Sequence, residues 1–138
     1  MRAVLAGFSY FLLCFAAGMV MGPIREFVLA PHLGRMGALF AEAPVMLTVS
    51  VLAALFVLTR REPPFSRLEA TVMGLSGLAF LLANEFAFAL FLRGETPIGY
   101  VVSLMTPFGA LSFMLFLAFG AAPILITAWR RNRDAARR

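Results

Sequence analysis

The chain has 138 residues, 62% of them hydrophobic and 14% charged, with a mean hydropathy of +0.90. A water-soluble domain carries about 25% charged residues, so the apolar excess is read as lipid-facing, and the length suits a single domain. All twelve basic residues are arginine and the net charge is +5, but they stand at the ends of apolar runs, where arginine sets topology and meets lipid headgroups; no basic stripe interleaved with aromatics remains for nucleic acid.

The first apolar run, Ala3 to Ile24, has 22 residues. As a helix it measures ~33 Å, enough for a ~30 Å hydrocarbon core. Arg2 gives it the basic start of a signal peptide. It is read instead as a retained helix, because it exceeds the about 7–15 residues of a signal core and no small-x-small cleavage pattern follows. Cys14 is the single cysteine; it has no partner for an internal disulfide and reads as a small buried hydrophobe. Pro23 is placed to kink the end of this helix, and Pro31 suits the first turn of the next. The turn between them is expected near Ala30.

The second run, Met36 to Thr59, is interrupted by Glu42 and Pro44. Its uninterrupted part measures only ~24 Å, short for a span, so Glu42 is placed inside the helix. Arg60-Arg61-Glu62-Pro63-Pro64 ends it through lost donors and proline sterics. The third run, Ala70 to Leu92, contains Asn84 and Glu85. Ser66 and Glu69 have the spacing of a capping box at its start, and Arg93 to Pro97 is a turn by composition. The fourth run, Thr96 to Trp129, has 34 residues without a charge, ~51 Å if wholly helical. It must tilt, lie in the interface or break, and Pro97, Gly99 and Pro107 mark the place. Tyr100 and Trp129 sit near its two ends as interfacial aromatics do.

These elements predict an all-α protein: four transmembrane helices, approximately 3–29, 32–59, 68–92 and 99–129, forming two antiparallel hairpins in a membrane helix bundle, with a basic solvated tail over 130–138. In that arrangement Arg2, Arg60, Arg61, Arg67, Arg130, Arg131, Arg133, Arg137 and Arg138 share one side, and Arg25, Arg35 and Arg93 the other. The excess marks the cytoplasmic side. The expectation is a multi-pass protein of the bacterial inner membrane with both termini cytoplasmic. Echoes between the halves, Gly7-Phe8-Ser9 with Gly74-Leu75-Ser76 and Arg25-Glu26 with Arg93-Gly94-Glu95, hint at a duplicated hairpin.

Ionisable side chains inside spans are the candidates for chemistry. Glu42, Glu85 and Ser112 each lie 18 residues from an arginine at the cytoplasmic end of their helix (Arg60, Arg67 and Arg130), so all three fall ~27 Å along it. A charged side chain in hydrocarbon costs about 2.5–3.5 kcal/mol on insertion scales, so each carboxylate should be paired, protonated or facing water. A polar intramembrane site is therefore expected from Arg25, Glu42, Asn84, Glu85 and Ser112, with Arg25 paired to Glu42 or Glu85. Such a site would take a cation, a proton or a polar headgroup; the alternative is a salt bridge that fixes how the hairpins dock. Glu26, His32, Arg35, Arg93 and Glu95 are expected as polar residues of the outer face. His32 is the only histidine, too little for a metal or haem site, so no metal and no cofactor is assigned. Gly34 with Ala38, and Gly37 with Ala41, have the spacing that lets helices approach closely.

The segment Gly22-Pro23-Ile24-Arg25, Pro31-His32-Leu33-Gly34, Ala38 and Glu42-Ala43-Pro44-Val45-Met46-Leu47 resembles a pattern in small four-helix integral membrane proteins of proteobacteria. The resemblance covers residues 22–47. It implies a bacterial inner membrane and directs attention to Arg25 and Glu42; it implies no reaction. A likeness to the four-helix membrane enzymes of eicosanoid and glutathione metabolism fails on the spacing of Arg35, Glu42 and Pro44 and on a missing asparagine.

Three functional classes follow. A non-catalytic accessory, assembly or structural subunit is favoured by short loops and the lack of a catalytic set. A small oligomeric transporter or channel would use the outer-leaflet carboxylates Glu42 and Glu85. A membrane enzyme is disfavoured, because no nucleophile–base pair can be named. The expected partners are the lipid bilayer and a homo-oligomer or membrane protein complex, with no nucleic acid.

Overall fold

The computed structural model of the chain describes residues 1–60 and 62–136. Arg61, Arg137 and Arg138, which enter the topology count above, lie outside the described residues. The described chain is helical, with α1 over Arg2–Ile24, a π-helical segment over Arg25–Leu29, α2 over Ala30–Thr59, α3 over Arg67–Phe91, α4 over Pro97–Leu104 and α5 over Pro107–Ala135. Three stretches are long and apolar enough to cross a membrane: the continuous Arg2–Thr59, then Arg67–Phe91 and Pro107–Ala135.

The first of these stretches holds 58 residues, and it does not run straight. Gly34 has φ 72° and ψ 167°, a combination open to glycine because it has no Cβ. There the chain doubles back, so that Gly18 comes beside Met46 and Arg25 beside Glu42. The expected turn near Ala30 thus sits four residues later, at Gly34. The segment between is held helical by a wide turn in which the Ala30 N–H reaches the Arg25 carbonyl. Pro31 follows directly; its ring would press on the Phe27 carbonyl in a regular α-helix, and the π turn relieves that clash. The first helical limb therefore extends to residue 33, past the predicted end at 29.

The start of α3 is capped as its sequence requires. The Glu69 N–H donates to Ser66 Oγ at 3.2 Å and the Ser66 N–H donates to Glu69 Oε2 at 3.0 Å, a reciprocal capping box. Arg2 Nε also donates to Glu69 Oε1 at 2.6 Å, which ties the start of α1 to the start of α3. The long fourth run is broken at Met105–Thr106 into α4 and α5. Each piece opens with the same four-residue device. Thr96-Pro97-Ile98-Gly99 and Thr106-Pro107-Phe108-Gly109 place a threonine hydroxyl on the glycine N–H three residues on, at 3.0 and 3.1 Å. Proline at the first helical position loses no bond there. As a result the last long helix runs 107–135, further toward the C-terminus than the predicted 99–129. It takes the first basic residues of the tail, Arg130, Arg131 and Arg133, into helix.

α1 packs against α2 and α3, and α5 against the same two, so α1 faces α5 and α2 faces α3 across diagonals. Tyr10 spans one diagonal. It is fully buried, its ring stacks on Phe119 of α5 at 4.3 Å, and its hydroxyl donates to the Phe119 carbonyl at 2.8 Å. Small residues set the helix spacing, though not those expected. Gly7 lies against Ser76 and the Met73 carbonyl, and Gly74 against the Gly120 carbonyl. Gly34 faces open space, and Gly37 meets only Leu33 of its own chain neighbourhood. Close approach therefore belongs to the α1–α3 and α3–α5 contacts.

This packing predicts an asymmetric glycine response. Gly74→Ala should lower stability in detergent by about 1–3 kcal/mol, the usual cost of overpacking, because the new Cβ meets backbone. Gly18→Ala, whose Cβ would find Met46 Cε at an ordinary 3.9 Å, should be neutral or stabilising through helix propensity. Thermal unfolding followed by circular dichroism measures both.

Candidate functional site

One end of the bundle holds a half-open cavity of about 720 Å³, lined by residues from every helix, within the range of small-molecule sites. Its charged lining consists of Arg25, Arg35 and Arg93 with Glu42, Glu85 and Glu95, and its polar lining includes Asn84, Tyr100, Ser103 and Ser112. Further in, the walls become apolar, with Cys14, Phe15, Leu81, Phe88, Phe116 and Phe119.

Arg25 and Glu42 form the most buried ion pair. The Arg25 Nη1 donates to Glu42 Oε2 at 3.0 Å, with the two side chains 32% and 6% exposed. The pair is a product of the fold-back: Arg25 is nine residues before Gly34 and Glu42 eight after it, which brings them level on adjacent limbs. A carboxylate this buried is sustained by its partner, and removal of the partner leaves an uncompensated charge.

Arg93 makes the second cluster. Its Nη2 lies 3.3 Å from Glu85 Oε1 and its Nε 3.0 Å from Glu95 Oε1. Two carboxylates thus share one guanidinium. The second Glu95 oxygen, Oε2, is buried and without a hydrogen-bond partner. Tyr100, buried on α4, meets the Phe86 ring edge-on at 5.4 Å and closes this wall. Arg35 stands apart. Its guanidinium lies 4.9 Å from the centre of the Phe108 ring, a cation–π contact, and among the described residues no carboxylate lies within salt-bridge distance of it.

Arg25, Glu42, Asn84, Glu85 and Ser112 all line this one cavity. The Ser112 hydroxyl is committed to its own helix, donating to the Phe108 carbonyl at 3.0 Å. Of the residues assigned to the outer face, Arg35, Arg93 and Glu95 also line the cavity, Arg35 and Arg93 while staying exposed, whereas Glu26 and His32 are exposed and lie outside its lining. Glu85 is partnered by Arg93, so Arg25 serves Glu42 alone. Sequence spacing missed the role of Arg93, because a charged residue after the helix end reads as a turn marker; only the return of the chain at Gly94, with φ 65°, brings Glu95 back to it. Among the described residues no group of three or more His, Cys, Asp or Glu side chains could hold a metal ion.

Comparison with protein-family profiles, with curated proteins and with solved structures finds no match to this chain.

The two ion clusters should respond differently to substitution. Arg25→Ala strands the buried Glu42 and should cost about 1–3 kcal/mol, below the 3–5 of a fully buried pair because Arg25 is partly exposed. The double change Arg25→Ala with Glu42→Gln should recover much of that loss. Glu85→Gln should cost under about 1 kcal/mol, since Arg93 keeps Glu95 and the cluster is half-exposed. Unfolding midpoints of the three variants and the unaltered chain in one detergent decide the comparison.

Proposed function

We propose that the chain is a small polytopic protein of the bacterial inner membrane, a non-catalytic accessory or assembly subunit. Its four membrane-crossing helices, near 2–33, 35–59, 67–91 and 107–135, form two antiparallel hairpins with both termini in the cytoplasm. One observation carries the reading: the charge at the two ends of the bundle is managed differently. Arg25, Arg35 and Arg93 gather in one cavity with Glu42, Glu85 and Glu95. Among the described residues, the other end carries six arginines, Arg2, Arg60, Arg67, Arg130, Arg131 and Arg133, against Glu62, Glu69 and Asp134. Three arginines at one end against six at the other is the arginine bias by which the positive-inside rule separates an outward end from a cytoplasmic one.

The non-catalytic part rests on how the cavity's reactive groups are engaged. Each of its three carboxylates is held by an arginine. Cys14 lies in the apolar part and the only histidine lies outside the cavity. Among the described residues that line the cavity, no nucleophile is placed beside a base. Transport is the second reading, favoured by the cavity volume itself. Against it, Glu42 is buried and ion-paired, a poor state for a group that must bind and release.

Reporter fusions test the topology. Fusions after the final residue and between Glu62 and Arg67 should read cytoplasmic, and one after Gly94 periplasmic; a periplasmic C-terminus contradicts the two-hairpin arrangement. For the second reading, pure protein in vesicles should move neither protons nor cations. Uptake that is lost in Glu42→Gln or Glu85→Gln, with folding intact, would establish transport instead.

A further inference from the structure

The cavity is charge-balanced in sum and unbalanced in layout. Arg25 and Glu42 satisfy each other. What remains is Arg35 on one wall, without a carboxylate among the described residues, and Arg93 on another, with the two carboxylates Glu85 and Glu95. Arg35 is on α2 and Glu85 on α3, helices that face each other across a diagonal of the bundle. The cavity therefore has a cationic wall and, opposite, a wall with one carboxylate in excess. A molecule lying between them meets complementary poles only if it carries both signs.

Its long axis adds a second requirement. Phe108 marks the charged end and Phe119 the apolar end, both on α5 and eleven residues apart, so the lining extends ~16 Å along the helix. The inner walls are Phe15, Leu81, Phe88 and Phe116, which suit a hydrocarbon chain and no charge.

We propose that this cavity is a binding site for a zwitterionic amphiphile, with its anionic phosphate on Arg35, its ammonium at Glu85 and Glu95, and an acyl chain in the apolar end. An aminophospholipid of the phosphoethanolamine type has this chemistry. The guanidinium gives a phosphate two parallel N–H donors. The ammonium brings N–H donors to a wall where two carboxylates share one arginine. A choline headgroup offers the charge but no donor, and a glycerol headgroup offers no cation. The assignment rests on the membrane reading above, which supplies the ligand at high local concentration.

The test uses the full chain purified in mild detergent and challenged with phosphatidylethanolamine, phosphatidylcholine and phosphatidylglycerol of identical chains, with bound lipid counted by native mass spectrometry. Phosphatidylethanolamine should be retained about tenfold over the other two, a difference of about 1.4 kcal/mol. Arg35→Gln and Glu95→Gln should each abolish the preference. Gly18→Leu tests the chain end without touching charge: Gly18 lines the cavity, and only Met46 Cε comes within 4 Å of a Cβ built on it. It should reduce retention of the preferred lipid. Equal retention of the three lipids by the unaltered protein overturns the proposal, whatever the variants do. Displacement of the lipid by phosphoethanolamine alone at matched concentration also overturns it, in favour of a free zwitterionic solute. Release of the chain from membranes by alkaline extraction would fail the membrane reading; a chain that stays inserted and shows no lipid preference fails only this site.

Discussion

The ion pair between Arg25 and Glu42 is the constraint on which one end of this protein depends. A carboxylate 6% exposed is costly without a partner, and the Arg25 guanidinium supplies one. The pair exists only because the chain reverses at Gly34, the position whose φ of 72° no β-branched or bulky residue would tolerate. The reversal levels residues that a continuous helix would set ~25 Å apart. Glycine at 34, the π turn before Pro31 and the pair at 25 and 42 thus form one device: the backbone supplies the return, and the charges fix its register.

The remaining polar groups at that end follow from how helices are started and stopped. Two Thr-Pro-x-Gly caps, ten residues apart, divide an apolar run too long for one span into a short helix and a long one. The short α4 places Tyr100 and Ser103 on the cavity wall, and Gly109 lies hard against the Ser103 carbonyl at the bend. The cavity is bounded by that bend, by the fold-back at Gly34 and by the turn at Gly94. Phe119, in its apolar lining, stacks on and accepts a hydrogen bond from Tyr10 in the middle of the bundle.

Much of this was legible in the sequence. Run lengths gave the helical class and the apolar stretches, the Ser66–Glu69 spacing gave the α3 cap, and equal counting from the arginines brought Glu42, Glu85 and Ser112 to one level. The departures have separate physical causes. Proline draws attention as a breaker, so Pro31 suggested a turn at Ala30; a proline in a first turn or after a π turn costs little, and the glycine three residues later bends the chain. The close helix contacts at Gly7 and Gly74 depend on which face each helix turns to its neighbour, and a stretch apolar all round carries no such signal. Arg35 and Arg93 read as surface charge and are exposed; that they also line one cavity depends on chain reversals at Gly34, Gly94 and Met105–Thr106 that spacing alone does not show.

The fold-back at Gly34 is the central claim, and a short crosslink tests it most directly. In a Cys14→Ser background, Gly18→Cys and Met46→Cys place two thiols on facing limbs; Gly18 and Met46 are neighbours across the contact. A brief bis-thiosulfonate treatment of intact membranes should join them within one chain, as peptide mass spectrometry would detect. In an unbent helix these 28 residues span ~42 Å, beyond any short linker. Absence of the intrachain product, with both thiols shown to react singly, would contradict the account.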